Sequence, residues 1–208
     1  MTNRDVKGLL IAVEGIDGAG KTTIAKHLCD FLSKRGHSCV VFKEPSDSIY
    51  GRIIKSLKSR LSPERELELF LLDREIDVRE RINPALEEGK IVIMDRYYYS
   101  NIAYQSACGL KEEMIKELNE RIAPKPDLVI LLDISPSKAL ERIKNRENLS
   151  VFERREYLEK VREKFLKIAD ERTVIIDAEK ELEIVKREVE KVVMKHIEEK
   201  YKRSESDS

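Results

Sequence analysis

A run of apolar residues from Leu9 to Val13 stops at Glu14 and gives way to Gly15-Ile16-Asp17-Gly18-Ala19-Gly20-Lys21-Thr22-Thr23, after which apolar residues return at helical spacing. Few architectures accommodate a buried strand, a turn carrying three glycines and a helix in immediate succession. Gly15, Gly18 and Gly20 can take backbone angles closed to other residues, so successive N–H groups turn into one concavity and the following helix adds its positive dipole end. A polyphosphate is the guest for such a nest, with Lys21 reaching the β- and γ-phosphates and the Thr22 hydroxyl available to Mg²⁺. Gly15 to Thr23 therefore read as a P-loop that cradles the phosphates of a nucleoside triphosphate.

Further apolar runs follow at Ser38–Phe42, Ile91–Met94, Leu128–Leu132 and Val174–Ile176, separated by stretches of helical period. Short continuous apolar strands alternating with helices predict a parallel sheet covered on both faces, here an α/β three-layer sandwich with a five-stranded sheet of the P-loop NTPase kind. Helices are expected over Lys21–Lys34, Tyr50–Leu61, Glu64–Glu88, Ser100–Ala107, Lys111–Arg121, Pro136–Arg146, Glu153–Asp170 and Glu181–Tyr201. The longest carries Leu67, Phe70, Leu71, Arg74, Val78, Ile82 and Leu86 near one face, and Ser62-Pro63 reads as its N-cap and first residue.

Lys plus Arg and Asp plus Glu both total 40 among 208 residues, so no global field recruits nucleic acid or membrane and any anion site is local. Charged residues make up 38% against a usual ~25%, which reads as long solvated helices or adaptation to heat. Cys29, Cys39 and Cys108 are scattered without a metal-ligand spacing, as are His27, His37 and His196. Neither a secretory leader nor a membrane span is legible, so a cytoplasmic protein is expected. The expected organisation is one domain over residues 1–203 with a disordered polar tail at 204–208.

In doubly wound sheets ligands sit at the carboxyl ends of the strands. Those ends carry the P-loop, Glu44-Pro45, Asp95-Arg96-Tyr97 and Asp133. Asp95 closes an apolar run as a Walker B aspartate does, and it can hold the Mg²⁺ shell or orient Arg96. The fork of Arg96 suits a phosphate oxygen pair, with a surface ion pair as the plain alternative. Phe70 and Arg74, four apart, share a helix face, where an aromatic plane and a guanidinium can stack a nucleobase and bind its carbonyl edge; core packing with a salt bridge is the rival reading.

The ordered set of these pieces resembles thymidylate kinase over nearly the whole chain: Glu14 to Thr22, Glu44-Pro45, Phe70-x3-Arg74, Asp95-Arg96-Tyr97 with Ser100-Asn101-x2-Tyr104, Pro126 to Asp133, Phe152-Glu153 and Ile176-Asp177-Ala178. The resemblance implies transfer of the γ-phosphoryl group of ATP to dTMP, with Mg²⁺ held by Thr22 and Asp95. By the same resemblance Asp17 holds the 3′-hydroxyl, Phe70 stacks on thymine, Arg74 binds its O4 edge and Asn101 completes the pairing face. Tyr104 crowds the 2′ position, Arg96 grips the dTMP phosphate and Ser100 lines the pocket. It also implies a homodimer, with an apolar face on the Phe70 helix or the Ser100–Ala107 helix as the candidate interface.

The attacking atom would be a phosphate oxygen already largely dianionic near neutral pH, so no general base is needed. Catalysis then consists of alignment and charge neutralisation by Lys21, Arg96, Mg²⁺ and arginines from a lid at about residues 142–153, where Arg142 and Arg146 are the donors. Two departures bear on this assignment. Some family members carry an arginine where this chain has Gly18, and bacterial members often show Asp-Arg where it has Ser150-Val151. Arg52 is a further candidate for phosphate. Competing readings are a kinase of another nucleoside or nucleoside monophosphate, for which Glu44 could serve as base, and a P-loop ATPase or GTPase switch.

Overall fold

The computed structural model describes residues 8–143 and 151–206. Five parallel strands, β1 (Leu9–Glu14), β2 (Cys39–Lys43), β3 (Ile91–Asp95), β4 (Leu128–Asp133) and β5 (Thr173–Asp177), lie in the order β2-β3-β1-β4-β5. β1 is central, with Val13 opposite Asp95 of β3 on one side and Ile130 of β4 on the other. This is the expected sheet, and its physical origin is visible in burial. The three inner strands are the continuously apolar ones and are almost wholly buried, whereas β2 and β5 are edges and leave residues such as Ile175 half-exposed.

The helices are α1 (Lys21–Ser33), α2 (Ile49–Ser56), α3 (Pro63–Asp77), α4 (Asn83–Glu87), α5 (Tyr98–Ala107), α6 (Glu112–Ile122), α7 (Pro136–Arg142), α8 (Val151–Lys167) and α9 (Leu182–Ser206). α1 packs with α9, while α3, α5, α6 and α8 pack among themselves. α1 starts directly after Gly20, which is left-handed and has no side chain to cap the helix, so the first-turn N–H groups stay available to an anion.

Three elements differ from the sequence expectation. The helix expected over Glu64–Glu88 is interrupted by a π turn at Val78–Ile82 between α3 and α4. Pro84 can neither donate to the preceding turn nor avoid its carbonyl, and the wider turn absorbs the fault. α2 stops at Ser56 rather than Leu61 because Arg60 forks onto Glu66 (2.6 and 3.1 Å) and Leu61 N–H donates to the same carboxylate, which draws the segment into an extended path. α9 continues to Ser206, past Arg203 where the polar tail begins. The end of the helix expected to reach Arg146 lies outside the described residues, as does Arg146 itself.

Candidate active site

Gly15, Gly18 and Gly20 all have positive φ, at 139°, 86° and 96°, as the phosphate-cradle reading requires. Position 18 is closed by α7 as well: a Cβ there would meet the Ala139 carbonyl oxygen at 2.4 Å. In this loop conformation a side chain at position 18 has no room without a shift of α7. Lys21 is buried with Nζ donating to the Ile16 carbonyl at 2.7 Å, and burial followed by the charge of Arg96 lowers its pKa to about 7. The Thr22 hydroxyl donates to Asp95 Oδ2, and Lys43 Nζ stands 3.2 Å from both oxygens.

On the other side of the loop Arg96 sits at φ 73°, the one non-glycine residue with positive φ among the described residues. Such strain persists where the surroundings enforce it. Arg96 N–H donates to the Val13 carbonyl at 3.1 Å, and its guanidinium engages the Asp17 carboxylate, reaches Ser100 Oγ at 3.2 Å and lies 5.3 Å from the Tyr104 ring centre. Asp17 N–H donates to the Tyr104 hydroxyl at 3.1 Å. Glu14, fully buried, accepts the N–H groups of Tyr97 (2.8 Å) and Ser100 (3.2 Å) and the Ser100 hydroxyl (2.6 Å). It thereby caps α5, a duty that the Tyr97 side chain cannot perform.

These groups open into a cavity of about 830 Å³ whose wall includes Asp17, Phe70, Arg74, Arg96, Ser100, Asn101 and Tyr104. Every residue assigned to the acceptor nucleotide from sequence is thus in one cavity. Behind them runs a buried polar relay. Arg74 pairs with Glu44 through Nε (3.0 Å) and Nη2, and its Nη1 donates to Asn119 and to Asn101 Oδ1 (3.3 Å). Asn119 Nδ2 also donates to Asn101 Oδ1 (3.2 Å), while Asn101 Nδ2 donates to Gln105 Oε1 (2.7 Å) and Gln105 Nε2 to Glu66 (3.4 Å). Guanidinium groups only donate and carboxylates only accept, so the two ends fix the amide orientations between them. Burial raises Glu44 to about pH 7 against the pull of Arg74.

Arg142 and Arg52 lie elsewhere. Arg142 donates to the Ala178 carbonyl at 2.9 Å, tying α7 to the segment after β5, and is absent from the cavity wall. Exposed Arg52 donates to the Asp47 carbonyl at 2.7 Å.

The sequence model of the thymidylate kinase family matches residues 13–189. The chain belongs to the thymidylate kinase family. It is 62% identical over 185 residues to a probable thymidylate kinase of Archaeoglobus fulgidus, covering 89% of this chain and 94% of that protein. A probable thymidylate kinase of Thermococcus gammatolerans is 39% identical over 204 residues (91% and 98%), and a thymidylate kinase of Xanthomonas campestris pv. campestris 41% identical over 190 residues (90% and 83%). Set against the family's ordered motifs, sequence reading missed Asn119, Gln105, Glu66, Lys43 and the capping duty of Glu14. Only Glu14 carried a signal, a carboxylate ending an otherwise apolar strand.

Proposed function

We propose that the P-loop of this chain holds ATP and the cavity beside it holds dTMP, so that the γ-phosphoryl group passes to dTMP and yields dTDP and ADP. The carrying observation is that Asp17 of the loop forms one wall of the cavity lined by Phe70, Arg74, Asn101 and Tyr104. The unit is a single kinase domain, residues 1–203, with a lid at about 142–153. Phe70 stacks the base, Arg74 and Asn101 read its edge, Tyr104 excludes a 2′-hydroxyl, and Arg96 with Ser100 receives the phosphate. Asp17, engaged by Arg96 in the free chain, takes the 3′-hydroxyl. The loop from Gly15 to Thr23 holds the donor phosphates; Lys21 and Arg96 neutralise the transferred group together with lid arginines Arg142 and Arg146, for which Arg142 has to leave the Ala178 carbonyl that it binds here.

Thr22 and Asp95 offer two hard oxygens that converge on one point where a lysine ammonium already stands, a donor pair that fits Mg²⁺. Among the described residues there is no cluster of three or more His, Cys, Asp or Glu side chains that could hold a metal ion, so this site would lean on the nucleotide phosphates for its remaining ligands. When bound, Mg²⁺ supplies charge neutralisation for the phosphates. Glu44 lines the cavity but both its oxygens are taken by Arg74, so a nucleoside kinase using it as base would first have to break that pair. No helix among the described residues is long and apolar enough to cross a membrane, and a cytoplasmic location goes with these substrates. We further propose a homodimer, with α2 beside the Phe70 helix as its candidate face. α5 buries Tyr98, Tyr99, Ile102 and Ala103 within the chain, whereas Ile49 and Ile53 of α2, four apart, are exposed. A crystal structure with dTMP tests the assignment: the base is expected against Phe70 and the phosphate on Arg96, and a base lodged elsewhere would refute it.

A further inference from the structure

Lys43 ends β2, and its partner across the β2–β3 ladder is Asp95, so neighbouring strands bring these side chains to one place by register alone. The pair is unequal: the Asp95 side chain is 2% exposed and that of Lys43 55%, so the ammonium reaches in from solvent to a buried carboxylate. Its Nζ is 3.2 Å from Asp95 Oδ2 and 3.2 Å from Thr22 Oγ1. Because the Thr22 hydroxyl gives its proton to Asp95, the free lone pairs of both oxygens can face the same cation. Of the other nearby cations, Lys21 donates to the Ile16 carbonyl and acts on Asp95 only through the field of its charge, and Arg96 is held by Asp17 and Ser100, which leaves Lys43 as the ammonium in direct contact with Asp95.

We propose that Lys43 is the resident cation of the Thr22–Asp95 pair, compensating Asp95 in the nucleotide-free enzyme and vacating that place when Mg²⁺ enters. This rests on the reading of Thr22 and Asp95 as the Mg²⁺ ligands. A buried carboxylate without a counter-charge is costly. A long, flexible, half-exposed lysine supplies that charge and still leaves readily. The free enzyme therefore holds Mg²⁺ weakly, because the ion must displace a cation that is already in place. Metal and nucleotide consequently load together, and Lys43, once displaced, is a free ammonium at the strand end beside the phosphate positions.

The test is Mn²⁺ binding followed by electron paramagnetic resonance, without nucleotide, in wild type, Lys43→Met, Lys43→Gln and Lys43→Arg. The two neutral variants are expected to bind Mn²⁺ about tenfold more tightly, and Lys43→Arg to resemble wild type. In EDTA the neutral variants should melt below wild type and recover on adding Mg²⁺, a shift that wild type lacks. Adding Asp95→Asn to Lys43→Met should abolish the gain. Mn²⁺ affinity in both neutral variants equal to wild type, while Asp95→Asn still weakens Mn²⁺ binding in the ATP complex, would overturn the role of Lys43. Unchanged Mn²⁺ binding by the Asp95→Asn complex with ATP would instead overturn the metal assignment, and this proposal with it.

Discussion

Phe70 and Lys21 separate the two halves of the site. Phe70 lines the cavity and is proposed to stack the base, so Phe70→Ala should raise the KM for dTMP about 10- to 100-fold, the worth of one base–aromatic stack, with kcat largely kept. Lys21→Ala should lower kcat by about 10³-fold with little change in dTMP affinity. Steady-state kinetics with dTMP varied at saturating ATP checks both, and near-normal turnover in Lys21→Ala would remove that residue from the phosphate cradle. Glu44 gives a pH signature. Its ordinary value near 4.5 rises to about 7 in the folded chain, chiefly by burial. The folded state thus holds a proton that the unfolded chain releases across that interval. The stability contributed by Glu44 is complete below the lower value and is lost as the pH rises through the upper one. Urea unfolding of wild type and Glu44→Gln across this range should show wild type losing ground as the pH increases; parallel curves would contradict it.

At the scale of elements, the loop from Glu44 to Ser48 and helices α2 and α3 form one unit. Asp73 of α3 accepts from Ser46 N–H (2.8 Å) and the Ser48 hydroxyl (2.6 Å), and Gly51 of α2 lies against both partners. A Cβ on Gly51 would come 2.1 Å from the Ser46 carbonyl oxygen and 2.7 Å from Asp73 Oδ1. Gly51→Ala should therefore cost about 2–4 kcal/mol in urea unfolding and raise the KM for dTMP, because Ile54 and Leu57 on the same segment line the cavity. The strands and the P-loop were legible because each depends on local periodicity or on a short spacing, whereas the residues around the cavity were legible only through the resemblance of their ordered set to thymidylate kinase, since Phe70 and Arg74 alone read equally as core packing with a salt bridge. Asn119, which orients Arg74 from α6, and Lys43, which meets Asp95 through strand register, were not. Neither has a sequence neighbour that betrays its partner, 45 residues away for Asn119 and Arg74, and only packing brings them together. The π turn was missed because a helical pattern runs on through Pro84 without recording how the backbone accommodates it.

At the scale of the molecule, the central strand β1 ends in Glu14, which caps α5 and sets Tyr97 and Ser100, and then in the P-loop, whose Asp17 meets Arg96 and Tyr104. One strand end therefore positions the donor cradle and the acceptor pocket together. Charged groups of the site are paired with one another, Arg96 with Asp17 and Lys43 with Asp95, so on the proposed reading substrates would exchange partners with groups already aligned. The exposed pair Ile49 and Ile53 on α2 belongs to this scale too. Ile53→Asp should convert the proposed dimer to monomer in light scattering coupled to size-exclusion chromatography, and a wild-type protein that elutes as a monomer at micromolar concentration would contradict the interface.

The most direct measurement is ADP release from ATP and Mg²⁺ with dTMP, dUMP, dCMP, AMP and the ribonucleotide UMP as separate acceptors. Rapid turnover is expected with dTMP, and UMP should be poor if Tyr104, which stands beside Asp17 in the cavity wall, excludes a 2′-hydroxyl as proposed. Strong turnover with AMP or dCMP and none with dTMP would contradict the assignment of this cavity to thymidylate.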